Sequence, residues 1–179
     1  MMRSRIAAGV VAGLIAGLVF GFMMQVTPMP MVQEGGMSMP MGDGAGMSMP
    51  AEGRTPMIMM FAETVRSESL IAGWIYILVS SVVIGGIFGI VLGGRAAKVG
   101  AGLAWGALYG VLVWFLGALI LMPILGGMEP FAPLTMAPMR PVAMTGLAGH
   151  LLSGLILGGV FAGLYDPGPP ASHPAATAP

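Results

Sequence analysis

The chain reads as an all-α membrane protein: a four-helix transmembrane bundle assembled from two tandem two-helix repeats. Three observations predict this. Only 8% of its 179 residues are charged while 56% are hydrophobic, and the mean hydropathy is +0.91. So few charges cannot cover a water-soluble surface, for which roughly 25% is usual. Four stretches reach the roughly 20 apolar residues that a bilayer core demands of a helix. Glycine, 30 residues in all, recurs at four-residue spacing inside those stretches.

The first span covers residues 6–26 without a charge, the second 70–94, the third 101–125 and the fourth 142–165. None alternates as a barrel strand would, and all are too long for one. Arg95 and Lys98 end the second span and leave a short turn before the third. Pro123 lies near the end of the third, and Pro141 suits the first turn of the fourth, where its missing N–H costs nothing. Trp74 and Tyr165 fall near span ends, where amphipathic rings favour the membrane interface.

Charge sets the orientation. Arg3, Arg5, Arg95 and Lys98 fall on one side with Asp166 as the one acid; Arg54, Arg66 and Arg140 fall on the other with Glu34, Asp43, Glu52, Glu63, Glu68 and Glu129. Basic short segments stay cytoplasmic. The expected topology therefore places both termini in the cytoplasm of a plasma (inner) membrane, with the 27–69 and 126–141 segments outside and 166–179 as a disordered cytoplasmic tail. A secretory signal is the other reading of the first span, but no A-x-A pattern follows Phe20. Net charge is zero, which implies no nucleic-acid partner. The absence of cysteine removes thiolate sites and disulfides.

Two offsets relate the halves of the chain. Moved by 93, Gly9, Gly13 and Gly17 fall on Gly102, Gly106 and Gly110, and Met29-Pro30 on Met122-Pro123. Moved by 73, Gly73, Ser80, Gly85, Gly86 and Phe88 fall on Gly146, Ser153, Gly158, Gly159 and Phe161. A duplicated hairpin with an insertion of 20 residues in its first outer loop accounts for both offsets; chance agreement among glycine-rich helices is the alternative. The ladders Gly9-Gly13-Gly17-Gly21, Ser81-Gly85-Gly89-Gly93, Gly102-Gly106-Gly110 and Gly154-Gly158 mark close-packing faces, because small residues let helix backbones approach in lipid. Periodicity leaves open whether those faces meet within the chain, in a homo-oligomer or on another membrane protein.

The insertion carries the unusual chemistry. Ten methionines lie between Met29 and Met60, and Gly36-Met37-Ser38-Met39-Pro40 recurs ten residues on as Gly46-Met47-Ser48-Met49-Pro50. Neutral, soft thioethers select Cu(I), and by the same softness Ag(I). Met-x-Met spacing in an extended segment turns both sulfurs to one side. Met37, Met39, Met41, Met47 and Met49 are the expected ligands, with no His or Cys in either outer loop to favour Cu(II), zinc or iron. The alternative is an inert Gly/Pro/Ser/Met linker. Thr55-Pro56 opens either a short amphipathic helix carrying Met57, Met60, Phe61 and Val65 or an extension of the second span.

Few polar groups lie inside the spans. His150 sits eight residues into the fourth, about 12 Å from its start at 1.5 Å per residue. It is read either as a neutral imidazole bonded to a carbonyl or serine, or as a metal or proton ligand with Met122 and Met144 near in depth. Ser80, Ser81 and Ser153 are expected to bond their own helix's carbonyls. No deep carboxylate points to ion-coupled transport, and no P-loop, HExxH or Ser/His/Asp set points to an enzyme. The chain is thus read as non-enzymatic. It is either a soft-metal capture protein or a structural protein joining helices through its glycine faces; a small-solute channel has no polar lane to use.

The run Gly106-Ala-Leu-Tyr-Gly110 through Trp114 to Met122-Pro123, and Gly149-His150-Leu-Leu-Ser153-Gly154 through Gly158 to Tyr165, resemble small prokaryotic inner-membrane proteins of the YagU-like kind. The resemblance covers the spans but neither the methionine insertion nor the tail. It implies a multi-pass plasma-membrane protein, and it carries over no catalytic residue.

Overall fold

In the computed structural model, residues 2, 4–27, 67, 69–125 and 127–168 are described. Four long apolar helices dominate: α1 (Arg5–Val26), α2 (Leu70–Leu92), α3 (Val99–Leu125) and α5 (Arg140–Leu164). Between α3 and α5 lie a single helical turn, α4 (Ala132–Thr135), and a 3₁₀ turn, Ala137–Met139. Among the described residues there is no strand, only one isolated bridge between Met2 and Tyr165. The protein is an all-α, multi-pass membrane protein. Its helices show lipid large side chains: Ile71 is 69% exposed and Phe22 63%, where a water-soluble bundle would place charge.

The helix ends follow local chemistry. Ser4 caps α1, its Oγ accepting from the Ala7 N–H at 3.2 Å. At the far end Thr27 turns back on the Met23 carbonyl with both its N–H (3.1 Å) and its hydroxyl (2.7 Å). Pro141 lies in the first turn of α5, as its missing donor requires.

Close backbone approach organises the bundle. On α1, Gly9 and Gly13 lie against Gly85, and Gly13 and Gly17 against Ser81 of α2; a methyl on Gly13 would come within 2.9 Å of the Gly85 Cα. On α3, Gly102 meets Gly158, Gly106 meets Gly154 and Gly110 meets the His150 backbone of α5. Offsets of 93 and 73 carry the contacts of Gly9, Gly13 and Gly17 in the first hairpin onto those of Gly102, Gly106 and Gly110 in the second. Gly17 beside Ile77 and Ser81, for example, becomes Gly110 beside His150 and Gly154. At such separations Cα–H groups face carbonyl oxygens, and dispersion acts over the whole seam.

A third seam joins the hairpins. Beside its glycine row α1 carries a second small-residue row, Ala8, Ala12 and Ala16, all at most 4% exposed. These alanines form a core with Phe88, Leu157, Phe161 and Tyr165, so α1 packs on α2 with one face and on α5 with the next. Between α2 and α3 the joining is done by side chains. Phe88 and Tyr109 stack edge-on at 5.3 Å, and the Tyr109 hydroxyl donates to the Ile84 carbonyl at 2.9 Å.

The third span departs from a regular α-helix. From Trp114 to Leu121 it is π-helical, the Met122 N–H reaching back five residues to Gly117. The cause is Pro123. It has no N–H for the carbonyl four residues before it, Leu119, and its ring crowds that oxygen. The Leu119 carbonyl is served instead by the Phe131 N–H at 2.7 Å. That return contact folds residues 127–139, which belong to the 126–141 segment expected as a plain loop, over the helix end. Phe131 adopts φ 65°, an uncommon value for a ring-bearing residue.

Substituting alanine at Gly106, where a Cβ meets backbone, should destabilise the bundle by about 1–3 kcal/mol, the usual cost of overpacking. Gly163→Ala, where a Cβ meets nothing within 4 Å, should be neutral or stabilising by up to about 1 kcal/mol through helix propensity. Thermal unfolding followed by circular dichroism in detergent distinguishes the two.

Candidate functional site

The antiparallel pairings fix which connections share an end. Gly21 packs against Trp74, Gly17 beside Ile77 and Gly9 against Gly85. On the other hairpin Trp114 packs beside Gly146 and its Nε1–H donates to the Ala143 carbonyl at 3.0 Å. The Val26, Leu70, Leu125 and Arg140 ends therefore lie together, and the 27–69 connection leaves from the same end as 127–139. There Met128 and Met136 are exposed, at 39% and 47%. Met37, Met39, Met41, Met47 and Met49, and the 55–65 segment, lie outside the described residues.

Arg5, Arg95 and Lys98 lie at the opposite end. The Arg5 Nε–H donates to the Tyr165 hydroxyl at 3.0 Å, and its guanidinium lies 5.9 Å from the centre of that ring. Met2 and Asp166 join the clasp: the Met2 N–H bonds the Leu164 carbonyl at 2.7 Å and the Asp166 N–H the Met2 carbonyl at 3.1 Å. Met2 and the 164–166 segment are thereby fastened at one mouth of the bundle, and the connection that carries the methionines leaves from the other.

His150 lies with its backbone against Gly110, midway along α3, and its ring beside Phe20 of α1. Helix α5 starts at Arg140 and overhangs α1, so His150 is level with the last turns of α1. Its neighbour Gly149 is covered by the methyl ends of Met23 and Met24 and by the Phe20 ring edge. Phe20 also meets the His150 ring edge-on, centroids 4.9 Å apart. The interface markers are at the same level: Trp74 Nε1–H donates to Gln25 Oε1 at 2.9 Å.

The imidazole is held in one tautomer. Nδ1 lies 2.8 Å from the Gly146 carbonyl. A carbonyl only accepts, so Nδ1 carries the proton and the Nε2 of the neutral ring keeps its lone pair. The carbonyl partner fits the expectation of a satisfied histidine, while Nε2 stays available as a ligand. Of the methionines expected near it in depth, Met144 lies on the outer surface of α5, 55% exposed, and Met122 opens the last turn of α3. Met23 and Met24 are the thioethers that the fold carries to the Gly149–His150 turn. Their adjacency in the sequence gave no sign of it, since the decisive quantity is the stagger of α5 against α1.

Ser80 bonds its own helix as expected, donating to the Tyr76 and Ile77 carbonyls at 2.7 and 3.0 Å. Ser153 does not: its Oγ is buried and has no hydrogen-bond partner among the described residues. It lies one turn below His150 on α5. Among the described residues no three His, Cys, Asp or Glu side chains converge.

Compared with family models, curated proteins and solved structures, the chain finds no match.

Gly149→Ala should be milder than the same change on the glycine seams. The atoms it meets are flexible side-chain ends, which swing aside where a carbonyl cannot, so a loss under about 1 kcal/mol is expected. A melting-point drop as large as that of Gly106→Ala would show this face to be as rigid as the seams.

Proposed function

We propose that this membrane protein captures a soft monovalent cation, Cu(I) or its analogue Ag(I), at the extracytoplasmic face of the plasma (inner) membrane. The observation that carries the reading is the tandem Gly-Met-Ser-Met-Pro pair in a connection rooted at the bundle end where Met128 and Met136 are also exposed. Met37, Met39, Met41, Met47 and Met49 supply neutral sulfur donors. Thioethers have no proton to lose, so capture by them is nearly indifferent to pH, unlike a thiolate site. The role is binding and hand-over, with no catalysis.

Orientation follows from the basic end. Arg5, Arg95 and Lys98 keep their end in the cytoplasm, which leaves the methionines outside. The matched registers of the two hairpins support a duplicated two-helix unit, with the methionine segment as the insertion that distinguishes the copies. Helix-to-helix association with other proteins is the weaker reading, because the glycine ladders are occupied within the chain.

Two measurements test the reading. The full chain in detergent, titrated with Cu(I) under reducing conditions, should bind it well below millimolar. The M37L/M39L/M41L/M47L/M49L variant should lose at least tenfold in affinity or the corresponding equivalents, and the loop-dependent share of binding, parent minus variant, should change little between neutral pH and about pH 5, the bottom of the imidazole range. Equal binding by parent and variant removes the loop from the function. Because the chain has no cysteine, single cysteines report topology: Met136→Cys should react with an impermeant maleimide in intact cells, and Lys98→Cys only after permeabilisation.

A further inference from the structure

We infer that Met23, Met24 and His150 form a receiving site for that soft cation within the bundle, inward from the loop. The inference rests on the soft-cation reading above for its ligand, and on separate residues for its site. The fold brings the methyl ends of Met23 and Met24 onto Gly149, the residue that precedes His150 in α5. Phe20 touches both parts, meeting Gly149 with its ring edge and His150 edge-on at 4.9 Å.

Three features make this more than packing. The first is the hydrogen bond to the Gly146 carbonyl at 2.8 Å, which fixes the proton on Nδ1. A ligating histidine is commonly oriented in this way, its second ring nitrogen bound to a carbonyl while Nε2 faces the metal. The second is location. The end of α1 is pinned by Thr27 on the Met23 carbonyl and by Gln25 on Trp74, which sets Met23 and Met24 within a turn of the connection that carries the other methionines.

The third is asymmetry. Offsets of 93 and 73 carry Phe20, Met23, Met24, Gly149 and His150 onto Val113, Leu116, Gly117, Tyr76 and Ile77. The corresponding places of the other interface thus hold no thioether and no imidazole. Helix packing alone does not call for these donors, whereas a cation site does. Two thioethers and one imidazole nitrogen are a neutral, soft set suited to trigonal Cu(I) or Ag(I). The cation keeps its oxidation state throughout, exchanging loop thioethers for these ligands.

The probe is Ag(I), which holds its redox state in air, added to the full chain in nanodiscs. A His173→Ala background leaves His150 as the one imidazole. Ring ¹⁵N resonances should show Nε2 moving on Ag(I) addition while Nδ1 stays near its place. The M23L/M24L change, close to volume-conserving, should weaken that response at least tenfold with helicity unchanged; Met144→Leu should leave it intact. The variant with all five loop methionines replaced by leucine should lose Ag(I) equivalents yet keep the Nε2 shift. If it keeps every equivalent and Nε2 still moves, the loop reading fails and the receiving site stands. An unmoved Nε2 in the folded parent, or a response that M23L/M24L leaves at full strength, overturns the site.

Discussion

Everything in this bundle depends on backbones touching. In lipid the tails are as apolar as leucine, so no hydrophobic force gathers the helices. What gathers them is contact at distances that a side chain would prevent. On the Gly9–Gly85 and Gly102–Gly158 seams the facing groups are carbonyl oxygens and Cα carbons. Each contact is weak, about 0.5–1 kcal/mol for a Cα–H to oxygen approach. Their number and their shared register give each hairpin one orientation. The large side chains displaced from these seams go to the lipid face, which is why Ile71, Phe22 and Ile75 are exposed.

From that constraint follows the placement of the chemistry. A helix locked by glycines at four-residue spacing cannot slide by one residue without driving a carbonyl into a bulkier neighbour. The stagger of α5 against α1 is therefore fixed, with Ala8, Ala12 and Ala16 holding the seam. That stagger determines that Gly149 faces Met23 and Met24 rather than Phe20 alone. A position set by packing far down the helix thus decides which methionine ends cover Gly149, the residue before His150.

Much of the fold was legible in the residues. Length and hydropathy located all four spans to within a few positions, since a bilayer allows little choice of element. The glycine ladders announced the seams, but not that they would close on one another inside one chain. The alanine row was overlooked because alanine is common in any apolar helix and its spacing stands out less. The π-helical stretch was missed although Pro123 was in view: the proline tells that a carbonyl loses its donor, and only the folded chain shows Phe131 supplying the replacement. His150 was legible as an intramembrane polar residue, but counting along its own span could not show that Phe20 of α1 meets its ring. Ser153 was expected to bond its own helix, as Ser80 does, and its Oγ has no partner among the described residues.

The four sides of the bundle are not alike. Three are sewn by small residues, and the fourth, between α2 and α3, is latched by the Phe88 and Tyr109 rings and one phenolic hydrogen bond. Rings can tilt and a single bond can exchange its acceptor, whereas interlocked main chains cannot move apart by degrees. Of the four sides, this one therefore joins the two hairpins without the close backbone approaches that hold each hairpin together.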